Sequence, residues 1–185
     1  MAKAAGGKGR KGGATGGAKP GKVAARARLG EGDRFDTPEK AYAEAERLIA
    51  KAQASHATEL SVQLRLLERL PPSIARLTAL QRLSLDDTRV ADLAPLAGLT
   101  ALQRLWLDHT RVADLAPLAG LTALRDLSLT GTQVADLAPL AGLTALRVLS
   151  LSGTLVADLA PLAGRSALLG LSLSGALVAD LAPLA

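Results

Sequence analysis

The sequence predicts an α/β repeat fold: a solenoid of stacked short strands and turns, an N-terminal capping helix and a disordered basic tail. Three observations carry this. From Leu77 the chain repeats itself every 22 residues, a period typical of stacked supersecondary units. Before the repeats, apolar and charged side chains alternate at helical spacing. Before that lies a stretch of Gly, Ala and Lys with little to bury. The organisation expected is a tail over 1–35, a capping helix over 36–59 and a repeat domain over 60–185. Within that domain a divergent first repeat (60–76) precedes five regular ones from 77.

The tail carries the basicity. Lys3, Lys8, Arg10, Lys11, Lys19, Lys22, Arg26 and Arg28 lie within residues 1–28, with no acid among them. These eight exceed the formal net charge of +5, so the rest of the chain is net acidic. The first residues, MAKAAGGKGRKGG, lack the apolar core of a secretory signal. No stretch is apolar for the roughly 18 residues that a membrane span requires. There is no cysteine, so disulfides, Cys-held zinc and thiol nucleophiles are excluded. A cytoplasmic protein with no membrane contact is expected.

At Asp36-Thr37-Pro38-Glu39 the character changes. Thr37 suits an N-cap, and Pro38 the first helical position, where its missing N–H costs nothing. Asp36 with Glu39 is an alternative capping box. Up to about Ser55, Tyr42, Ala45, Ile49 and Ala52 share one side, with Ala41 and Leu48 beside them. Lys40, Glu44, Arg47 and Lys51 take other sides, which predicts an amphipathic helix.

The repeats run from Leu77, Leu99, Leu121 and Leu143, with a fifth copy, RSALLGLSLSGALVADLAPLA, from Arg165. In the second, the pattern is Leu102-x-x-Leu105-x-Leu107-x-x-Thr110-x-Val112-x-x-Leu115-x-x-Leu118. Alternation through Leu105 and Leu107 predicts a short strand with one buried face. Thr88, Thr110, Thr132 and Thr154 form a column whose hydroxyls are expected to bond turn backbone. Asp114 followed by Pro117 predicts a tight or 3₁₀ turn on the convex side. No single unit can bury its leucines, so stability comes from stacking neighbours.

This repeat resembles that of bacterial leucine-rich-repeat proteins, and the Val112-to-Leu121 run VADLAPLAGL is similar to the 22-residue repeats of internalins. The resemblance implies a leucine-rich-repeat solenoid with parallel strands on the concave face, where a ligand is held. Residues Ala45–Leu80 more loosely resemble the opening of Roco-type repeat domains. Leu60, Val62, Leu67, Leu70, Pro71, Ile74 and Leu77 match a first repeat. Arg65 stands where the ladder residue belongs, and Leu64 and Leu66 are out of step.

Signals of catalysis are thin. Gly16-Gly17-Ala18-Lys19-Pro20-Gly21-Lys22-Val23 has Walker A spacing, but Val23 replaces the Ser or Thr that holds Mg²⁺. His56 and His109 are far apart in the stack, and a metal wants three or four converging ligands. Asp92, Asp114, Asp136, Asp158 and Asp180 precede each convex turn and read as repeated caps. No catalytic, cofactor or metal site is expected.

Variation falls instead on the exposed strand positions. One column runs Arg82, Arg104, Asp126, Val148, Gly170; the next Ser84, Trp106, Ser128, Ser150, Ser172; the third Asp86, Asp108, Thr130, Ser152, Ser174. Charge and the single Trp gather in the first two full repeats, and Trp and Arg are enriched in binding hot spots. The sequence therefore predicts a non-enzymatic module binding a protein partner at Arg82, Asp86, Arg104, Trp106, Asp108 and His109, with Trp106 largely exposed. Two alternatives stand beside it: a regulatory fragment of a Roco-type GTPase, and a weak polyanion or nucleic-acid contact by the basic tail. End-to-end self-association through Leu171, Leu173, Val178, Leu181 and Leu184 is a further expectation.

Overall fold

The computed structural model describes residues 24–26 and 36–184. The expected disordered tail lies outside them apart from Ala24–Arg26, and so do the Walker-like segment and the polyanion contact.

Helix α1 spans Pro38–Ala54. The Thr37 side chain accepts the Lys40 amide at 3.3 Å, while Asp36 pairs with the Lys40 ammonium at 2.5 Å. The threonine is thus the cap. Ala41, Ala45, Leu48, Ile49 and Ala52 are buried, and the three alanines allow the helix close approach. Its other ties are polar. Ser73 donates to Glu46 Oε2 at 2.7 Å, and the Arg69 guanidinium stands 4.7 Å from the Tyr42 ring centre, a cation–π contact. The helix covers the first layer of the stack, as a solenoid end requires.

Among the described residues the sheet has seven strands in sequence order. They are β1 (Ala24–Arg26), β2 (Glu59–Ser61), β3 (Arg82–Ser84), β4 (Arg104–Trp106), β5 (Asp126–Ser128), β6 (Val148–Ser150) and β7 (Gly170–Ser172). All pair in parallel. Register is set by the repeat, since Arg104 lies beside Asp126 and Leu105 beside Leu127. A slip of one residue would turn every leucine to solvent. No strand was predicted over Ala24–Arg26. It pairs with the outer edge of β2, where backbone groups need partners whatever the side chains are.

Each layer is filled from one repeat. Leu102, Leu105, Leu107, Val112, Leu115, Leu118 and Leu121 are all fully or almost fully buried. After each regular strand the threonine hydroxyl donates back three residues. Thr88 bonds the Leu85 carbonyl, Thr110 that of Leu107, Thr132 that of Leu129 and Thr154 that of Leu151, at 2.6–2.8 Å. On the far side, Asp92, Asp114, Asp136, Asp158 and Asp180 each accept the amide two residues on at 2.8 Å. These are Asx turns that open the 3₁₀ turns, such as Ala94–Leu96 and Ala116–Leu118.

The divergent ends solve the same packing problem differently. In the first repeat Arg65 occupies the ladder position but is exposed, and Leu64 is buried beside it. A guanidinium cannot take the threonine's dry site; the turn here falls at Arg65–Leu66 and is closed by the Leu67 amide on the Leu64 carbonyl at 2.8 Å. In the last repeat Arg165 replaces the leucine that is buried at Leu77, Leu99, Leu121 and Leu143. Its guanidinium donates to the Leu143 and Leu140 carbonyls, both at 2.6 Å. Leu171, Leu173 and Val178 are only partly buried, and Leu181 and Leu184 are exposed.

Candidate protein-binding face

The open face of the sheet is lined by the side chains that flank the buried leucine of each strand. Pairing at the repeat period brings the charges together. Arg82 forms an ion pair with Glu59. Arg104 Nε lies 2.8 Å from Asp126 Oδ2. The column thus reads Glu59, Arg82, Arg104, Asp126, with each cation matched by a carboxylate. Exposed pairs of this kind contribute at most about 1 kcal/mol; their effect here is to orient both arginines along the sheet.

The carboxylates of the third column are held more firmly. Asp86 accepts the Asp108 amide at 2.9 Å and the Ser84 hydroxyl at 2.9 Å. One repeat on, Asp108 accepts the Thr130 amide at 2.8 Å and the Ser128 hydroxyl at 2.5 Å. Each aspartate therefore satisfies a backbone amide of the next strand. Thr130 continues the line to Ser150 at 2.9 Å, and Ser152 to Ser172 at 2.7 Å. Burial pushes the Asp86 carboxyl above the usual aspartate range, opposed by the Asp108 amide and the Ser84 hydroxyl.

Trp106 stands in the middle of this network, between Ser84 and Ser128. The expectation that it is largely exposed is not met: Trp106 is partly buried. A bulky indole on a sheet has strands about 4.8 Å away on both sides, which shield it even when the neighbouring side chains are small. His109 is exposed, at the turn after β4, with φ +57. Asp87 occupies the same turn position at φ +59, and Gly131, Gly153 and Gly175 follow at φ +66 to +72. This is the left-handed region, open to Gly and, among other residues, best tolerated by Asn, Asp and His.

The structure brings Arg82, Asp86, Arg104, Trp106 and Asp108 onto one face, with His109 at its margin. The sequence reading did not identify the carboxylate partners of the arginines. Pairing residues one period apart finds Asp126 for Arg104; Glu59 lies one residue further back because the first repeat is longer. A second feature also escaped it. At the entry to each strand two successive amides share one carbonyl: Gln103 O accepts from Arg125 and Asp126, and Arg125 O from Arg147 and Val148. This breaks the alternation and turns both residues outward.

Among the described residues no three His, Cys, Asp or Glu side chains converge on a metal-sized site. The aspartates before the 3₁₀ turns are each engaged with an amide instead. No helix among the described residues is long and apolar enough to cross a membrane.

Stacked layers of this geometry, with a leucine pattern in every strand, form a leucine-rich-repeat solenoid. A family model described as leucine-rich repeats (2 copies) matches residues 78–120. The chain is similar to the crystal structure of internalin C2 from Listeria monocytogenes. Identity is 28%, the TM-score 0.61, and the match covers 82% of this chain and 90% of that one. An internalin, inlF, from the same organism matches with a TM-score of 0.60 at 24% identity, over 82% of this chain and 60% of that one. No curated protein matches the sequence. The repeats are thus internalin-like and of a bacterial type, and the architecture is that of a protein-interaction repeat module.

Proposed function

We propose that this chain is a non-enzymatic module that holds a protein partner on the concave face formed by its strands. Trp106 is the centre of the site, and Arg82, Asp86, Arg104, Asp108 and His109 surround it. The observation that carries this reading is the setting of Trp106. It is the one aromatic side chain on the sheet, flanked by two serines whose hydroxyls are engaged with Asp86 and Asp108. Those contacts fix the polar surroundings in advance, so little order is lost on binding. The paired arginines then offer remaining donors to a partner.

The test uses the whole chain as bait. A partner captured by the wild type is identified and titrated against the wild type and Trp106→Ala. Loss of affinity with an unchanged melting temperature supports the site. A cytoplasmic location belongs to the same proposal, supported by the lack of cysteine, and cell fractionation checks it. Self-association through the last layer is proposed on Leu171, Leu173, Val178, Leu181 and Leu184, of which Leu181 is 58% and Leu184 39% exposed. Light scattering over a concentration series that shows one monomeric species counts against it.

A further inference from the structure

We infer that the edge of this face formed by Arg125, Arg147, Val148 and Leu169 receives an acidic, apolar segment of a protein partner. The inference rests on the reading of the strand face as a protein-binding surface, and adds where on it the partner's charge is met.

The shared-carbonyl geometry is the first support. Arg125 O accepts the Arg147 amide at 2.7 Å and the Val148 amide at 3.0 Å. Arg147 O accepts those of Leu169 and Gly170 at 2.7 and 3.0 Å. Neighbouring residues in each pair are therefore presented together. Val148 is 47% and Leu169 78% exposed. In the preceding repeats the same positions hold polar residues: Arg104 and Asp126 before Val148, and Gln103, Arg125 and Arg147 before Leu169. The apolar patch is thus a local departure from a polar column.

Charge supplies the second support. Arg82 and Arg104 have carboxylate partners. Arg125 and Arg147 are exposed and form no ion pair among the described residues. Their backbones are hydrogen-bonded neighbours, so two like charges stand one repeat apart, an arrangement that costs energy while both lack a counter-charge. The acids of the face end at Asp126, next to Arg125. Asp126 is taken by Arg104, and Val148 and Gly170 follow it; Thr130, Ser152 and Ser174 follow Asp108. A carboxylate set between Arg125 and Arg147 gains charge-assisted bonds from two guanidinium forks. Apolar side chains next to it cover Val148 and Leu169. A nucleic acid matches the charge but not the apolar half, and this edge has no aromatic for base stacking.

The test is fluorescence anisotropy on the full chain with a labelled peptide, Gly-Leu-Glu-Leu-Glu-Val-Gly, and its Gln counterpart. The Glu peptide is expected to bind saturably, and the Gln peptide about tenfold more weakly. Arg125→Gln/Arg147→Gln should lower affinity for the Glu peptide by about tenfold, with the melting temperature unchanged. Val148→Ser should weaken it severalfold, and rising salt should weaken it further. Arg76→Gln, on the Pro72–Arg76 turn away from the strand face, should leave it alone. Equal binding of both peptides, or undiminished binding by the double arginine variant, overturns the inference. So does binding that vanishes only when residues 1–28 are deleted, or a single-stranded oligonucleotide that binds this edge where the peptide does not. Should the peptide fail while the capture dependent on Trp106 stands, the edge assignment falls and the wider reading survives.

Discussion

The imidazole of His109 lies over Gly131 of the next repeat, so closely that a methyl group on Gly131 would stand 2.6 Å from its Nδ1. Both residues hold the left-handed turn that follows a strand, at φ +57 and +68. Gly131→Ala should therefore destabilise the protein by about 1–2 kcal/mol from backbone strain alone, with a steric part added. His109→Gly removes the steric part, so the double variant should lose less than the two single changes combined. Urea denaturation of the four proteins measures the coupling. Strict additivity would show that ring and glycine do not meet.

The threonine ladder permits a smaller and more general prediction. Thr110 is buried at 4% exposure, and its hydroxyl donates to the Leu107 carbonyl at 2.7 Å. That carbonyl also accepts the Thr110 amide at 3.3 Å, so removing the hydroxyl does not orphan it. Thr110→Val should cost about 1 kcal/mol, the ordinary net value of one hydrogen bond. The last repeat has Ala176 at the ladder position, bonded to Leu173 through its amide only. Ala176→Thr should raise stability by up to about 1 kcal/mol. A thermal melt showing loss from Ala176→Thr would place that position outside the ladder.

Asp86 gives the strand face a pH signature. Its carboxyl is raised above the ordinary aspartate value because burial disfavours the charge. The folded state thus binds its proton more tightly than the unfolded chain does. The stabilising contribution is complete below the unfolded value of about 3.9 and is lost as pH rises through the raised one. Asp86→Asn keeps an acceptor for the Asp108 amide and cannot ionise. The melting temperature of the variant minus that of the wild type should therefore climb over this window and level off above it. A difference that stays flat across the window would contradict the assignment.

Much of the architecture is legible in the sequence because every layer repeats the same instruction. Leu105, Leu107, Thr110 and Asp114 each recur at the period, so strand, ladder and Asx turn follow from spacing. The N-terminal helix is readable from Thr37-Pro38 and from the apolar side built around Ala45 and Ile49. Legibility fails where neighbours one repeat apart differ. Arg82 and Arg104 look like free cations until Glu59 and Asp126 are set beside them. Asp86 and Asp108 look like surface charges until each is found on the next strand's backbone. Trp106 reads as exposed because the sequence shows its small neighbours, not the width of an indole between strands. The outward turn of both Arg147 and Val148 depends on two amides sharing one carbonyl, which no alternation pattern encodes.

Trp106 is proposed as the anchor for a protein partner. This is tested by titrating the captured partner against wild type and Trp106→Ala, with thermal melts of both proteins alongside. A loss of about 2 kcal/mol or more in binding is expected, the scale of a hot spot, with the melting temperature nearly unchanged. An early melt combined with undiminished affinity would contradict it, because the indole would then serve the fold and not the face.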